Sequence, residues 1–214
     1  MDKHDKLKAI ADSGVVAVIR TSSANELVNI CTAMAEGGVV GVEITMTSPN
    51  ALEAIREAAS ELGGKAVIGA GSVLDAETAR ACILAGADFV VSPVFNAGLV
   101  EMCRRYSKIV IPGAFSPTEI LTAWQAGADV VKVFPATKLG PSFLKDVLGP
   151  MPQVKLTPTG GIDLDNMGDF LKAGAVFVGV GSSLVDKALV AQGRWDELAA
   201  RAAQFVAAAK SARC

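Results

Sequence analysis

The stretch Ala126-Gly127-Ala128-Asp129-Val130-Val131-Lys132-Val133-Phe134-Pro135 reads as a helix stop followed by a buried strand with a charge inside it. Glycine ends a helix because it takes the left-handed backbone there without a Cβ penalty. The run after it is apolar on both faces, as a strand covered from both sides must be. The same arrangement recurs along the chain. Glu36-Gly37-Gly38-Val39 precedes Val40 to Ile44, Ala85-Gly86-Ala87-Asp88 precedes Phe89 to Val91, and Ala173-Gly174-Ala175 precedes Val176 to Val180. Gly37, Gly86, Gly127 and Gly174 lie 49, 41 and 47 residues apart. Between each pair sits one further apolar run, Ala66 to Ile68, Ile109 to Ile111 and Val154 to Leu156. The repeating unit is therefore half that spacing, the size of one strand and one helix. With Val15 to Ile19 in front, the strands number eight.

The intervening segments carry helix-start signals. Ser23-Ala24-Asn25-Glu26 and Ser116-Pro117-Thr118-Glu119 are capping boxes, and Ser48-Pro49 sets proline at a first helical position. Leu27, Ile30, Cys31 and Met34 share one helical face. Strict alternation of strand and helix implies a parallel sheet. An open doubly wound sheet competes, but its dinucleotide turn needs a third glycine that Gly69-Ala70-Gly71 and Gly179-Val180-Gly181 lack. Eight units favour closure, so the expected fold is an α/β (β/α)8 TIM barrel, one domain over residues 1–214, with a last helix, Trp195 to Ala209, packed outside.

Composition narrows the function. The chain has 214 residues, 51% hydrophobic, and 20 Lys and Arg against 22 Asp and Glu. A net charge of −2 with no basic stripe gives no footprint for nucleic acid. No apolar run reaches the length of a spanning helix and no h-region follows Met1-Asp2-Lys3-His4-Asp5-Lys6, so a cytoplasmic protein with no membrane partner is expected. Cys31, Cys82, Cys103 and Cys214 are far apart and read as reduced packing residues. The single histidine, His4, falls in an N-terminal tail to which no chemistry is assigned. Without a histidine cluster neither a catalytic metal nor another cofactor is expected.

In a barrel, chemistry belongs at the C-terminal ends of the strands. Two charges stand out there because each interrupts an apolar run. Lys132, in Val130-Val131-Lys132-Val133, sits where desolvation opposes the ammonium form, and a neutral amine can attack a carbonyl. The competing readings are an outward-facing lysine that snorkels to water and a structural partner of an acid. Glu43, in Val40-Gly41-Val42-Glu43-Ile44, shares strand parity with Gly41 and Thr45. It is either a buried salt-bridge partner or a group that shuttles protons beside the amine. Pro158-Thr159-Gly160-Gly161 and Gly179-Val180-Gly181-Ser182 end the last two strands, where backbone N–H groups can receive phosphate. Arg20, one residue past the first strand, is either a bidentate carboxylate clamp or an exposed loop arginine. Phe134 and Pro93 offer apolar surface at the mouth or are ordinary core.

Taken in order, Val42-Glu43-Ile44-Thr45, Ile68-Gly69-Ala70-Gly71-Ser72-Val73, Val91-Ser92-Pro93, Ile111-Pro112-Gly113, Val131-Lys132-Val133-Phe134-Pro135, Pro158-Thr159-Gly160-Gly161-Ile162 and Gly179-Val180-Gly181-Ser182 resemble the 2-dehydro-3-deoxy-6-phosphogluconate (KDPG) and 4-hydroxy-2-oxoglutarate (KHG) aldolase family across nearly the whole chain. The resemblance implies a class I aldolase in which Lys132 forms a Schiff base and Glu43 acts as acid and base through water. It implies a phosphorylated 2-keto acid substrate, cleaved to pyruvate and glyceraldehyde 3-phosphate. It places Ser72, Pro93, Phe134 and Thr159 in the substrate site, Gly160, Gly161, Gly181 and Ser182 on the phosphate, and three chains in a homotrimer. It also implies a role in Entner–Doudoroff sugar-acid breakdown. Two positions depart from the common pattern. Ser72 replaces a threonine but keeps the hydroxyl, and Thr47 stands where some members carry an arginine for the substrate carboxylate, which leaves Arg20 as its replacement. The alternatives are the galactonate epimer as substrate, a phosphate-binding barrel isomerase or epimerase, and a barrel that serves only as a scaffold.

Overall fold

The computed structural model describes residues 1–20 and 26–213. The chain runs α1 (Lys3–Ser13), β1 (Val15–Ile19), α2 (Leu27–Glu36), β2 (Gly41–Thr45), α3 (Ala51–Glu61), β3 (Val67–Gly71), α4 (Ala76–Leu84), β4 (Phe89–Val91), α5 (Ala97–Arg105), β5 (Ile109–Ile111) and β6 (Gly113–Ala114). It continues through α6 (Pro117–Gln125), β7 (Val131–Val133), α7 (Gly140–Leu148), β8 (Leu156–Pro158), α8 (Met167–Lys172), β9 (Val178–Val180), α9 (Lys187–Ala191) and α10 (Trp195–Arg213). All the strand ladders are parallel. Six strands follow the order β5-β4-β3-β2-β1-β9 and three the order β6-β7-β8.

Two seams join these sheets into a closed α/β barrel. At the first, β5 and β6 form one barrel strand interrupted by Pro112, which cannot donate to a ladder. Its carbonyl still accepts from Lys132 N at 2.9 Å, and Val110 O accepts from Asp129 N at 3.0 Å. At the second, β8 meets β9 through the bridges Leu156↔Ala175 and Thr159↔Gly179, and Thr157 Oγ1 donates to Phe177 O at 2.9 Å.

Strand parity divides the core into two layers. Val15, Ala17, Val42, Ile44, Ile68, Val90, Val110, Val131, Val133 and Val178 pack outward against the helices. Val16, Val67, Phe89, Val91, Ile109, Ile111, Val130 and Phe177 fill the barrel itself, joined from below by Ile10 of α1. The helix α1 closes the base, held by Lys3 to Asp129 at 2.9 Å and Lys6 to Asp88 at 2.7 Å. It is capped by a reciprocal box between Asp2 and Asp5, so His4 lies on an ordered helix and not in a loose tail.

Several sequence boundaries move. The seventh strand is Leu156–Pro158, not Val154 to Leu156, because Val154 N closes a turn onto Met151 O at 3.1 Å instead of entering the sheet. Pro49 does not open a helix. Ser48 N bonds Thr45 O at 2.9 Å and its hydroxyl faces Thr45 Oγ1 at 3.4 Å, so α3 starts at Ala51 behind a left-handed Asn50. The box Ser116 to Glu119 forms as expected, with Pro117 in the first turn. The box from Ser23 to Glu26 lies outside the described residues apart from Glu26. The last helix packs outside against α2 and α8, and runs beyond Ala209 to Arg213.

Candidate active site

Lys132 and Glu43 point into the barrel. Lys132 stands between Val131 and Val133, both of which pack toward the helices, and two residues past Val130, which fills the interior. Its Nζ rests 4.8 Å from the centre of the Phe134 ring, on the same side of the strand. Parity thus removes the reading of a lysine snorkelling outward. Glu43 follows the same logic between Val42 and Ile44 and is 3% exposed. The register carries Val18 across to Glu43 and on to Gly69, and Gly113 across to Lys132 and on to Thr157, all of them inward-facing positions.

Space for the carboxyl comes from β3. A Cβ at Gly71 would lie 1.8 Å from Glu43 Oε1, so any side chain there would evict the carboxyl. Burial pushes the Glu43 carboxyl above the ordinary glutamate value, and the charges of Lys132 and then Arg20 pull it back in part. No ion pair joins Glu43 to Lys132. The two groups feel each other through the barrel interior without being locked together.

A cavity of about 930 Å³ opens at the C-terminal ends of the strands. From the candidate residues it gathers Arg20, Phe134, Thr159, Gly160, Gly181 and Ser182, together with Thr47. Arg20 is exposed and follows β1 directly. The loop after β8 is fixed by Thr159 N to Val133 O at 3.0 Å and Ala136 N to Thr159 O at 2.9 Å, which brings Thr159 beside Phe134. Gly160 and Gly161 then take φ of +98° and +69°, a backbone that only glycine adopts freely, and a Cβ at Gly161 would meet Thr137 Cγ2 at 2.0 Å. Glycine is needed there to turn the loop, which answers why the pair is present whether or not phosphate binds.

Glu43, Ser72, Pro93, Lys132 and Gly161 do not line this cavity, and the lysine adjoins it only through the Phe134 ring. Ser72 follows β3 with a left-handed φ of 58°, a strained conformation of the kind that sites retain. The Pro93 carbonyl lies where a Cβ of Gly113 would be, 2.2 Å away, so the mouth is drawn tight between β4 and β6. Thr47 Oγ1 lies 3.1 Å from Thr45 Oγ1, a pair of hydroxyls in place of a cation.

The cavity also contains residues that strand-end reading passed over, among them Glu26, Pro49, Val185, Lys187 and Val190. They lie on or next to helices, and the signal that could have found Lys187 is its place a few residues past Ser182, at the start of α9 where the loop after the last strand ends. Among the described residues no group of His, Cys, Asp and Glu is placed to hold a metal ion, and no helix is long and apolar enough to cross a membrane. Cys31, Cys82 and Cys103 are free and buried, and burial pushes their thiols up to about 12, about 11 and about 12.

Residues 7–201 match the family model described as KDPG and KHG aldolase. The chain is 34% identical over 193 residues to a 2-dehydro-3-deoxy-phosphogluconate aldolase of Haemophilus influenzae, covering 90% of this chain and 91% of that one. It is 30% identical over 171 residues to a 2-dehydro-3-deoxy-6-phosphogalactonate aldolase of Escherichia coli, covering 79% and 83%. The crystal structure of the Legionella pneumophila KDPG aldolase, with pyruvate captured as a covalent carbinolamine, superposes with a TM-score of 0.85 at 28% identity, over 91% of this chain and 95% of that one.

Proposed function

Because the chain belongs to the KDPG and KHG aldolase family, we propose that Lys132 and Glu43 perform its carbon–carbon cleavage from the interior of the barrel. The protein is a class I aldolase that cleaves phosphorylated 2-keto sugar acids and releases pyruvate. The observation that carries the residue assignment is parity. A lysine and a glutamate, each inside an apolar strand, both face the barrel interior, and Phe134 connects the lysine to the cavity.

The steps follow from these groups. The Lys132 amine adds to the C2 carbonyl, and the carbinolamine loses water to give a protonated imine. The C3–C4 bond then breaks, its electron pair flowing into the imine as an enamine, while the C4 hydroxyl proton passes through water to the Glu43 carboxylate. The aldehyde leaves. Glu43 returns the proton to C3, and hydrolysis of the imine frees pyruvate and the amine. Burial favours the protonated form of Glu43, which helps its carboxylate take the proton from the C4 hydroxyl, and the charges of Lys132 and Arg20 offset part of that effect and so ease the return of the proton to C3. Arg20 orients the substrate carboxylate in place of the arginine that Thr47 displaces. Gly160, Gly161, Gly181 and Ser182 take the phosphate, with Ser72, Pro93 and Thr159 around the pyruvyl group. An isomerase would use the same loops but would have no need for an imine.

We read residues 1–214 as one cytoplasmic domain, 2-dehydro-3-deoxy-6-phosphogluconate as the preferred substrate with glyceraldehyde 3-phosphate as the second product, and Entner–Doudoroff breakdown as the setting. The galactonate epimer and 4-hydroxy-2-oxoglutarate are the substrates to assay beside it. The homotrimer finds support in one apolar sector of the rim. Leu74, Val94 and Phe115 follow β3, β4 and β6, which are neighbours around the barrel, and are 55%, 50% and 45% exposed. The direct test of the residue assignment is pyruvate release, read by a coupled dehydrogenase assay. Lys132→Ala should lose at least about 10³-fold in kcat with an unchanged circular dichroism spectrum. Retained turnover in that variant contradicts the imine assignment.

A further inference from the structure

The phosphorylated substrate is anionic at both ends, and the cavity wall carries a cation for each. The charged side chains that line it are Arg20, Glu26 and Lys187. In the function proposed above, on which this inference rests, Arg20 is committed to the carboxylate. The glycine loops and Ser182 can offer the phosphate only neutral donors. A phosphate monoester carries about −1.5 to −2 charges at neutral pH, and neutral dipoles alone leave much of that uncompensated. Among the described residues Lys187 is the remaining lining cation.

The loop after β9 delivers Lys187 to the same wall as Ser182. Leu184 N and Val185 N both donate to Gly181 O, at 3.0 and 2.9 Å, and Asp186 N donates to Leu184 O at 3.1 Å, which folds the segment back on itself. Two outside contacts pin the fold. Ser183 Oγ donates to Ile162 O in the loop after β8, and Arg201 Nε donates to Ser183 O at 2.7 Å. The adjacent acid does not neutralise the lysine. Asp186 Oδ1 accepts from Ala188 N at 2.8 Å and Leu189 N at 3.1 Å, and the cations that act on Asp186 are Arg201 and Arg194. Among the described residues Lys187 forms no ion pair. It is exposed, with a flexible stem that can swing its ammonium over the glycine loops.

We propose that Lys187 supplies the cationic contact to the substrate phosphate, and so makes this enzyme prefer a phosphorylated 2-keto acid over the same acid without its phosphate. The test compares kcat and KM for 2-dehydro-3-deoxy-6-phosphogluconate and for 2-dehydro-3-deoxygluconate in the wild type, Lys187→Gln and Lys187→Arg. Lys172→Gln, an exposed lysine on α8 that does not line the cavity, is the control. Lys187→Gln should raise KM for the phosphorylated substrate and lower the ratio of the two kcat/KM values roughly tenfold, as expected for the loss of one charge-assisted hydrogen bond. Lys187→Arg should restore most of the ratio, Lys172→Gln should leave it as in the wild type, and rising ionic strength should erode the preference of the wild type more than that of Lys187→Gln. An unchanged ratio in Lys187→Gln overturns the role of Lys187 alone, and equal losses on both substrates do the same. A wild type that cleaves neither substrate overturns the proposed function, and the role of Lys187 with it.

Discussion

Glu43 and Lys132 are legible in the sequence for one physical reason. A charge in a strand whose neighbours are all buried has to be satisfied or used. The sequence could not say which face each strand turns inward, and so could not separate a catalytic pair from an outward lysine or a salt bridge. The structure turns both charges inward by parity and shows no ion pair between them, which removes the outward lysine and the salt bridge. Glu43 also makes a prediction about stability. Its folded-state carboxyl titrates above its unfolded value, so between those two values the native state holds more protons than the unfolded chain, and stability falls as pH rises through that window. Glu43→Gln removes that cost. In denaturant titrations the variant should gain stability relative to the wild type as pH rises from below the ordinary glutamate value to neutral, while kcat falls about 10² to 10⁴-fold. A stability difference that does not change with pH would show that the buried carboxyl is not held at this cost. Arg20 and the glycine loops were legible as positions, whereas Lys187 was not, because it lies on a helix and reaches the cavity only through the fold of the preceding turn.

At the scale of elements, the strand and helix order was readable because glycine stops and apolar runs repeat with the period of one βα unit. The errors fall where side chains override local signals. Ser48 and Pro49 have the chemistry of a helix start, but Thr45 and Ser48 bring their hydroxyls together and delay α3. The helix α1 gave no periodic signal worth reading, with only Ile10 and Ser13 buried, and it is held largely by charges that the barrel base supplies. The weakest seam of the barrel is between β8 and β9, where isolated bridges replace a continuous ladder and the Thr157 hydroxyl adds a bond to Phe177 O. Thr157→Val keeps the side-chain shape but strips that donor, and should cost about 1–2 kcal/mol in urea unfolding. Hydrogen exchange should rise locally on β8 and β9. A neutral substitution would mean that the bridges alone close the barrel.

For the molecule as a whole, the closed barrel puts its two buried charges, its cavity and its glycine loops at one end, and uses the other end for stability. The apolar sector at Leu74, Val94 and Phe115 lies on the working end and was invisible in the sequence, because each residue follows a different strand. If it is the interface of a homotrimer, Phe115→Asp should shift the mass in analytical ultracentrifugation from three chains toward one without unfolding the chain. A wild type that sediments as a monomer would contradict the trimer. The central claim, that an imine on Lys132 carries the reaction, has a more direct measurement. Incubation with pyruvate and borohydride, followed by intact mass and peptide mapping, should yield a single reduced pyruvyl adduct located on Lys132 and absent from Lys132→Ala. An active, folded protein that forms no adduct, or forms it at another lysine, would contradict the account.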